Sequence, residues 1–212
     1  MKKVIVTGAA GNLGKAVVKN FLGRKYKIFA CISMRDDPAE IKSMDVEIFS
    51  LDLTDAAPCK SYVEAVAANN SGIDAAVLTV GGFAPGNMKA ASKTDFEKQI
   101  ALNFYTAFNM VQPLFEQMEK QPAGGKIILI GSEPGKDGAK AKGSVAYGFS
   151  KSLVFRLAEL INEEGKTKNI SAHVIVPTTM DTPQNRAAMP NADFSKWATT
   201  DKIAEEIALA LV

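Results

Sequence analysis

Six short runs rich in apolar and β-branched residues lie at Lys3 to Thr7, Lys27 to Ile32, Val46 to Ser50, Ala75 to Val80, Lys126 to Gly131 and Ser171 to Val176, separated by longer stretches of helical periodicity. Each run has the length of one strand, and each intervening stretch leaves room for the crossover that parallel neighbours require. The pattern predicts an α/β fold, a doubly wound parallel sheet with helices on both faces. A length of 212 residues, 47% of them hydrophobic, suits one compact domain over residues 1–212 with a full core and no second domain. Ser92-Lys93-Thr94-Asp95 has the form of a helix cap, and Pro113, inside the helical pattern that follows, is expected to kink or break it.

The first strand runs into Thr7-Gly8-Ala9-Ala10-Gly11-Asn12-Leu13-Gly14, after which Leu13, Val17, Val18, Phe21 and Leu22 recur with helical spacing. This is a strand, a tight turn and a helix start. Unpaired N–H groups and the positive end of the helix dipole favour an anion there, and glycines let a dinucleotide pyrophosphate approach the backbone. Thr7, Gly8, Gly11, Asn12, Leu13 and Gly14 are therefore candidate cofactor contacts. The spacing G-x-x-G-x-x-G is wider than the commoner G-x-G-x-x-G, and an ordinary strand-to-helix turn is the alternative.

Tyr147 and Lys151 stand four residues apart in a second helical stretch, so their side chains share one helix face. An ammonium beside a phenol stabilises the phenolate, and a tyrosine with a lowered pKa exchanges a proton with a developing alkoxide. A surface tyrosine beside a solvated lysine is the plainer alternative.

With both segments present, the chain resembles the short-chain dehydrogenase/reductase family from Lys2 to about Ala210. Within that family it is most similar to the dihydropteridine reductases. The residues that carry this likeness are Val80-Gly81-Gly82-Phe83-Ala84, Tyr147-Gly148-Phe149-Ser150-Lys151, and the run from Pro177 through Met180-Asp181-Thr182-Pro183 to Trp197. The resemblance implies a Rossmann-type NAD(P)-binding domain in which Asn103 anchors a water of a proton relay and Ser132 orients a substrate carbonyl. It also places Asp52 and Leu53 near the adenine, Gly81 and Gly82 near the ribose, and Pro177 and Thr182 near the nicotinamide. A homodimer or homotetramer through the helices carrying Asn103 and Tyr147 is implied as well. Three features depart from the dihydropteridine reductases: Ser132 and Asn103 fit the wider family instead, the second strand lacks an acidic end, and the sequence stops at Val212 where a last strand is expected.

Cofactor preference is read at the end of the second strand. NAD users place an acid there for the ribose 2'-hydroxyl, whereas NADP users need room and a cation. Ser33 takes the acid's place and Arg35 follows, which favours NADP(H) over NAD(H); Asp36 or Asp37 on the ribose is the alternative.

Twenty-five basic and 23 acidic residues, spread along the chain, give a formal charge of +2 and no footprint for nucleic acid or an anionic membrane. No stretch reads as a signal peptide or a membrane span, and Cys31 and Cys59 read as small buried residues of a reducing compartment. A cytoplasmic protein acting on a small molecule is expected. His173 has no cluster of further ligands around it, so no metal is expected. Lys136, Lys140 and Lys142 read as solvated loop charges, with an acidic carrier as the alternative. The segment 177–197, with prolines at 177, 183 and 190, follows the sixth strand and is expected to form a substrate lid. Trp197 would stack on a planar substrate or pin that lid.

These features together predict an NAD(P)H-dependent reductase passing hydride to a small carbonyl or quinonoid pterin-like substrate, with Tyr147 as proton donor. The alternatives are a non-catalytic NADP-binding redox sensor and, among enzymes, a dedicated dihydropteridine reductase. Enzymes of nucleotide sugars share both motifs but need an additional substrate domain.

Overall fold

The computed structural model describes residues 1–211; the expected early stop at Val212 lies outside the described residues. In chain order the elements are β1 (Lys3–Thr7), α1 (Asn12–Gly23), β2 (Lys27–Ile32), α2 (Ala39–Lys42), β3 (Glu47–Ser50), α3 (Ala56–Asn70), β4 (Ala75–Leu78) and α4 (Lys93–Ile100). A π-helical turn, Ala101–Tyr105, joins α4 to α5 (Thr106–Glu119). Then come β5 (Gly125–Ile130), α6 (Glu133–Lys136), α7 (Val145–Gly165), β6 (Ile170–Ile175), β7 (Met180–Asp181), α8 (Pro183–Ala188), β8 (Ala198–Thr199) and α9 (Thr200–Ala210).

Six strands form one sheet in the order β3-β2-β1-β4-β5-β6, with every pairing parallel. The order reverses between β1 and β4, which opens a crevice at their carboxyl ends. Alternation along β1 shows why the inner strands are so apolar: Ile5 joins the core packed by α3, α5 and α7, whereas Val4 and Val6 join the core packed by α1 and α9. Met110, Leu114 and Met118 fill the first core from α5, and Val17, Phe21, Ile203 and Ile207 fill the second.

Local chemistry sets the ends of these elements. Ser92 and Asp95 form a reciprocal capping box at α4, as the sequence predicts. β4 stops at Leu78 instead of Val80 because its neighbour β1 ends at the paired Thr7, and the Thr79 hydroxyl then donates to the Thr7 carbonyl at 2.7 Å. Pro113 does not break its helix: α5 runs through it, held by the buried Met110, Val111 and Leu114, and the irregularity falls earlier, in the π-helical turn.

β6 ends the sheet, and its outward edge is protected. The Asn162 side-chain amide donates to the Ala172 carbonyl at 2.9 Å and accepts from the Ala172 N–H at 2.8 Å, in the way a neighbouring strand would. Asn162→Ala is expected to cost roughly 1 to 3 kcal/mol for two backbone partners lost and to expose the edge to strand addition. Urea unfolding and light scattering against concentration check both; unchanged values would show the amide to be dispensable.

Candidate active site

The glycine-rich turn is built by close backbone packing. Gly8 sits at φ 62°, a left-handed conformation that side chains disfavour, and a Cβ there would lie 2.8 Å from the Thr79 hydroxyl. A Cβ on Gly14 would collide with the Gly8 carbonyl, so α1 can lie this close to β1 only with glycine at that position. These glycines are thus required by the protein's own backbone as well as by the approach of a pyrophosphate. Gly11 caps α1 without any side-chain hydrogen bond, and helix geometry leaves the N–H groups of Asn12, Leu13 and Gly14 without intrahelical acceptors. That cradle fits a pyrophosphate. The Leu13 side chain itself is buried in the core, so only its N–H is available.

A cleft of about 240 Å³ beside this turn is lined by Ala10, Lys15, Asp36, Asp37, Glu40 and Ile41. Beyond the end of β2 the Asp36 carboxylate accepts from the Ser33 N–H at 2.8 Å, and the Ser33 hydroxyl accepts from the Arg35 N–H at 3.2 Å. Asp52 accepts from the hydroxyl and N–H of Thr54, which hold its pKa below the ordinary value, with Arg35 adding a smaller pull. Leu53 turns its side chain into the core, and its carbonyl accepts from Asn109 at 3.0 Å. A larger cavity of about 360 Å³, around Lys120 and Lys168, lies at the opposite ends of the strands, away from these groups.

The ends of β4 and β5 meet α7 at the second half of the site. Lys151 is 5% exposed and donates to the Ile130 carbonyl at 2.8 Å; burial lowers its pKa to about 8. The Tyr147 phenol is partly buried, and burial raises its pKa, partly offset by the nearby Ser132 hydroxyl. The Lys151 ammonium expected to act on Tyr147 stands one helical turn away, hydrogen-bonded to the Ile130 carbonyl. Ser132 is buried at the end of β5, and among the described residues its Oγ has no hydrogen-bond partner of good geometry, the Tyr147 hydroxyl included. A buried hydroxyl left unpaired beside a phenol is an open donor for an incoming oxygen.

Asn103 lies in the π-helical turn, 1% exposed, with its side chain fully engaged by protein. Its Oδ1 accepts from the Gly82 N–H at 2.9 Å, and its Nδ2 faces the Gly82 carbonyl at 3.0 Å, Gln99 at 3.1 Å and Ser150 at 3.1 Å. Gly81 is constrained by side chains, where Gly14 is constrained by backbone: a Cβ would lie 2.7 Å from Asn103 Oδ1 and 3.1 Å from Lys151 Nζ, both of them hydrogen-bonded.

Pro177 and Thr182 belong to the segment after β6, where β7 and β8 pair and bring its two ends together. The Thr182 hydroxyl caps α8 by accepting from the Asn185 N–H at 3.2 Å. The Arg186 guanidinium grips Asp181 through two hydrogen bonds and lies 4.6 Å from the Phe194 ring centre, which in turn packs 4.7 Å from Trp197. Trp197 is therefore tied within its own segment. Asn12 donates across to Gln184 of α8 at 2.8 Å, joining the glycine-rich turn to this segment.

Phe83, Gln99 and Ser150 also adjoin the candidate site; Phe83 and Ser150 lie within the runs that carry the family likeness but have no role assigned there, and Gln99 lies outside them. Phe83 is 66% exposed and packs edge-on against Tyr147 at 5.1 Å; a large aromatic directly after two glycines was the available signal. Gln99 and Ser150 show no such signal, because only the folded π-helical turn brings them to Asn103.

A family model described as short chain dehydrogenase matches residues 2–193. Over 212 residues the chain is 28% identical to a dihydropteridine reductase of Dictyostelium discoideum, covering 97% of this chain and 86% of the relative. It is 26% identical over 190 residues to an acetoacetyl-CoA reductase of an Acinetobacter strain, covering 86% of this chain and 75% of that relative. Among solved structures, a short-chain type dehydrogenase/reductase from Mycobacterium ulcerans shares the fold at a TM-score of 0.89 and 19% identity, covering 100% of this chain and 83% of the other.

The buried Lys151 makes stability depend on pH in a definite sense. Its folded pKa of about 8 lies below the ordinary 10.5, so between those values the unfolded chain binds more protons and stability rises with pH. The full effect is about 3 kcal/mol. The buried thiols and phenols, with raised pKa values, act in the opposite sense at alkaline pH. The contribution of Lys151 is therefore isolated by the difference between wild type and Lys151→Met in urea unfolding at pH 7 and pH 10. The variant should lose the alkaline gain; parallel curves would mean that the ammonium is not buried in solution.

Proposed function

The chain belongs to the short-chain dehydrogenase/reductase family, and from that premise we propose that it is an NADP(H)-dependent reductase acting on a small carbonyl or quinonoid pterin-like substrate, with Tyr147 as proton donor. The observation that carries this reading is the unpaired, buried Ser132 hydroxyl beside Tyr147, one turn of α7 from the buried ammonium of Lys151.

When bound, the nicotinamide supplies the hydride. The open N–H groups from Asn12 to Gly14 hold the pyrophosphate, with Thr7, Gly8 and Gly11 shaping the turn. Gly81, Gly82 and Lys151 face the nicotinamide ribose, Pro177 and Thr182 the nicotinamide, and Asp52 and Leu53 the adenine. Ser132 donates to the substrate oxygen, and the Tyr147 hydroxyl delivers its proton as negative charge grows there. Lys151 stabilises the phenolate that remains. Asn103 holds the relay water, and its side chain also fixes the end of the β4 loop against α7. The segment 177–197 is the substrate lid, latched to the cofactor turn through Asn12 and Gln184.

A more specific reading, a dihydropteridine reductase, is favoured by the exposed Phe83 ring against Tyr147, which offers a planar substrate a stacking face, and by the Dictyostelium relative. A non-catalytic NADP-binding sensor would need neither the open serine nor the buried lysine. We place the protein in the cytoplasm as a homodimer or homotetramer, with the exposed Leu102, Tyr105, Phe108 and Phe149 of the helices carrying Asn103 and Tyr147 as the face for a second copy.

Two experiments test the proposal. With a ketone panel and quinonoid dihydropterin as substrates, Tyr147→Phe should bind cofactor normally yet lose about 100- to 10,000-fold in kcat on whichever substrate is turned over. Ser132→Ala should lose roughly 2 to 4 kcal/mol of transition-state stabilisation on a carbonyl and little on the pterin, whose ring spreads the incoming charge. Full activity of Tyr147→Phe removes the mechanism, and cofactor binding by the wild type without turnover supports the sensor.

The second experiment concerns the 2'-phosphate. Arg35→Ala should weaken NADPH by a charge-assisted hydrogen bond, roughly 1.5 to 3 kcal/mol, and leave NADH nearly unchanged. The Asp36 carboxylate on the Ser33 N–H favours the competing assignment to NAD. Fluorescence titration of both cofactors decides, and a wild type that prefers NADH transfers the ribose to Asp36.

A further inference from the structure

Ser150 lies between Tyr147 and Lys151 in sequence and is completely buried. Its hydroxyl donates to the Tyr147 carbonyl at 2.8 Å and receives the Asn103 amide at 3.1 Å. Gln99, buried one helical turn before Asn103, presents its Oε1 to the same amide at 3.1 Å. The chain of contacts therefore runs from Gly82, at the end of the β4 loop, through Asn103 to the one turn of α7 that carries both Tyr147 and Lys151. Gly81, against which the Asn103 carboxamide and the Lys151 ammonium both pack, closes the circuit on the other side.

We propose that Ser150 and Gln99 are positioning residues that set the placement of Tyr147 and Lys151 by holding Asn103 between the β4 loop and α7. The proposal deepens the reading of Tyr147 as proton donor and rests on it for its kinetic consequence. The hydrogen-bond count gives it a distinctive signature. An amide carries two N–H donors, and Asn103 Nδ2 has three acceptors within reach: the Gly82 carbonyl, Gln99 and Ser150. Removing Ser150 or Gln99 singly leaves both donors satisfied. Removing both leaves one buried donor with no acceptor, which is a cost of a different order. A serine hydroxyl bonded to a carbonyl one turn back in its own helix also bends that helix slightly, so losing it rotates the turn on which the phenol and the ammonium stand.

The test compares Ser150→Ala, Gln99→Met and the double variant in the full chain. Each single variant should shift Tm by less than about 4 °C, whereas the double variant should lose more than the two shifts added together, as members of one network do. On the substrate the wild type turns over, Ser150→Ala should lower kcat about 10- to 100-fold through misplacement of the phenol, with KM for the cofactor unchanged. The Lys151 ammonium, followed by ¹⁵Nζ NMR, should titrate higher in Ser150→Ala than in wild type as its surroundings loosen. Additive Tm shifts together with an unmoved Lys151 titration would overturn the proposal whether or not the protein reduces any substrate tried. A normal Ser150→Ala beside an inactive Tyr147→Phe would remove this inference and leave the assignment of the proton donor standing; a wild type without turnover but with the Lys151 shift would do the reverse.

Discussion

The hydrogen bond from Lys151 to the Ile130 carbonyl is the contact on which the candidate site depends. A buried ammonium is costly unless a polar group meets it, and this one is met by the last carbonyl of a central strand. The bond fixes the depth at which α7 lies on the sheet. Tyr147, one turn earlier, is thereby set beside Ser132, which is two residues beyond Ile130 on the same strand exit. The sheet order, reversing between β1 and β4, brings the glycine-rich turn to the same edge of the molecule.

Glycine is required where two backbones must approach more closely than a Cβ permits. Gly14 allows α1 to settle on the carbonyl of Gly8, and Gly81 gives Asn103 and Lys151 their common wall. The Gly14 position tolerates no larger residue, because the obstructing atoms are main chain, whereas at Gly81 the obstructing atoms are the ends of two hydrogen-bonded side chains.

Much of this was legible in the sequence, for reasons that are local. A strand buried on both faces must be apolar throughout, so β1, β2 and β5 are readable from their runs, and Ser92 with Asp95 is readable as a cap because its atoms lie within one turn. Tyr147 and Lys151 share a face by helical periodicity alone. The burial that raises the Tyr147 pKa and the bond from Lys151 to Ile130, 21 positions away, are tertiary effects that no spacing rule reports. Pro113 does not break α5, because the packing of that helix outweighs one missing backbone donor. The contacts of Gln99 and Ser150 with Asn103 are not legible, because a single π-helical turn, invisible in composition, directs Asn103 toward both.

Asn12 belongs to two structures at once. Its backbone opens the helix at the cofactor cradle, and its side chain holds Gln184 at the start of the segment that follows β6. A residue shared in this way makes two equilibria one: any ligand that steadies the glycine-rich turn also biases the segment, and any ligand that draws the segment down tightens the turn by the same factor. The energy of one exposed hydrogen bond bounds that coupling to a few-fold. Each of the two binding partners of such a site would then hold the other slightly more tightly, without any large movement of the fold.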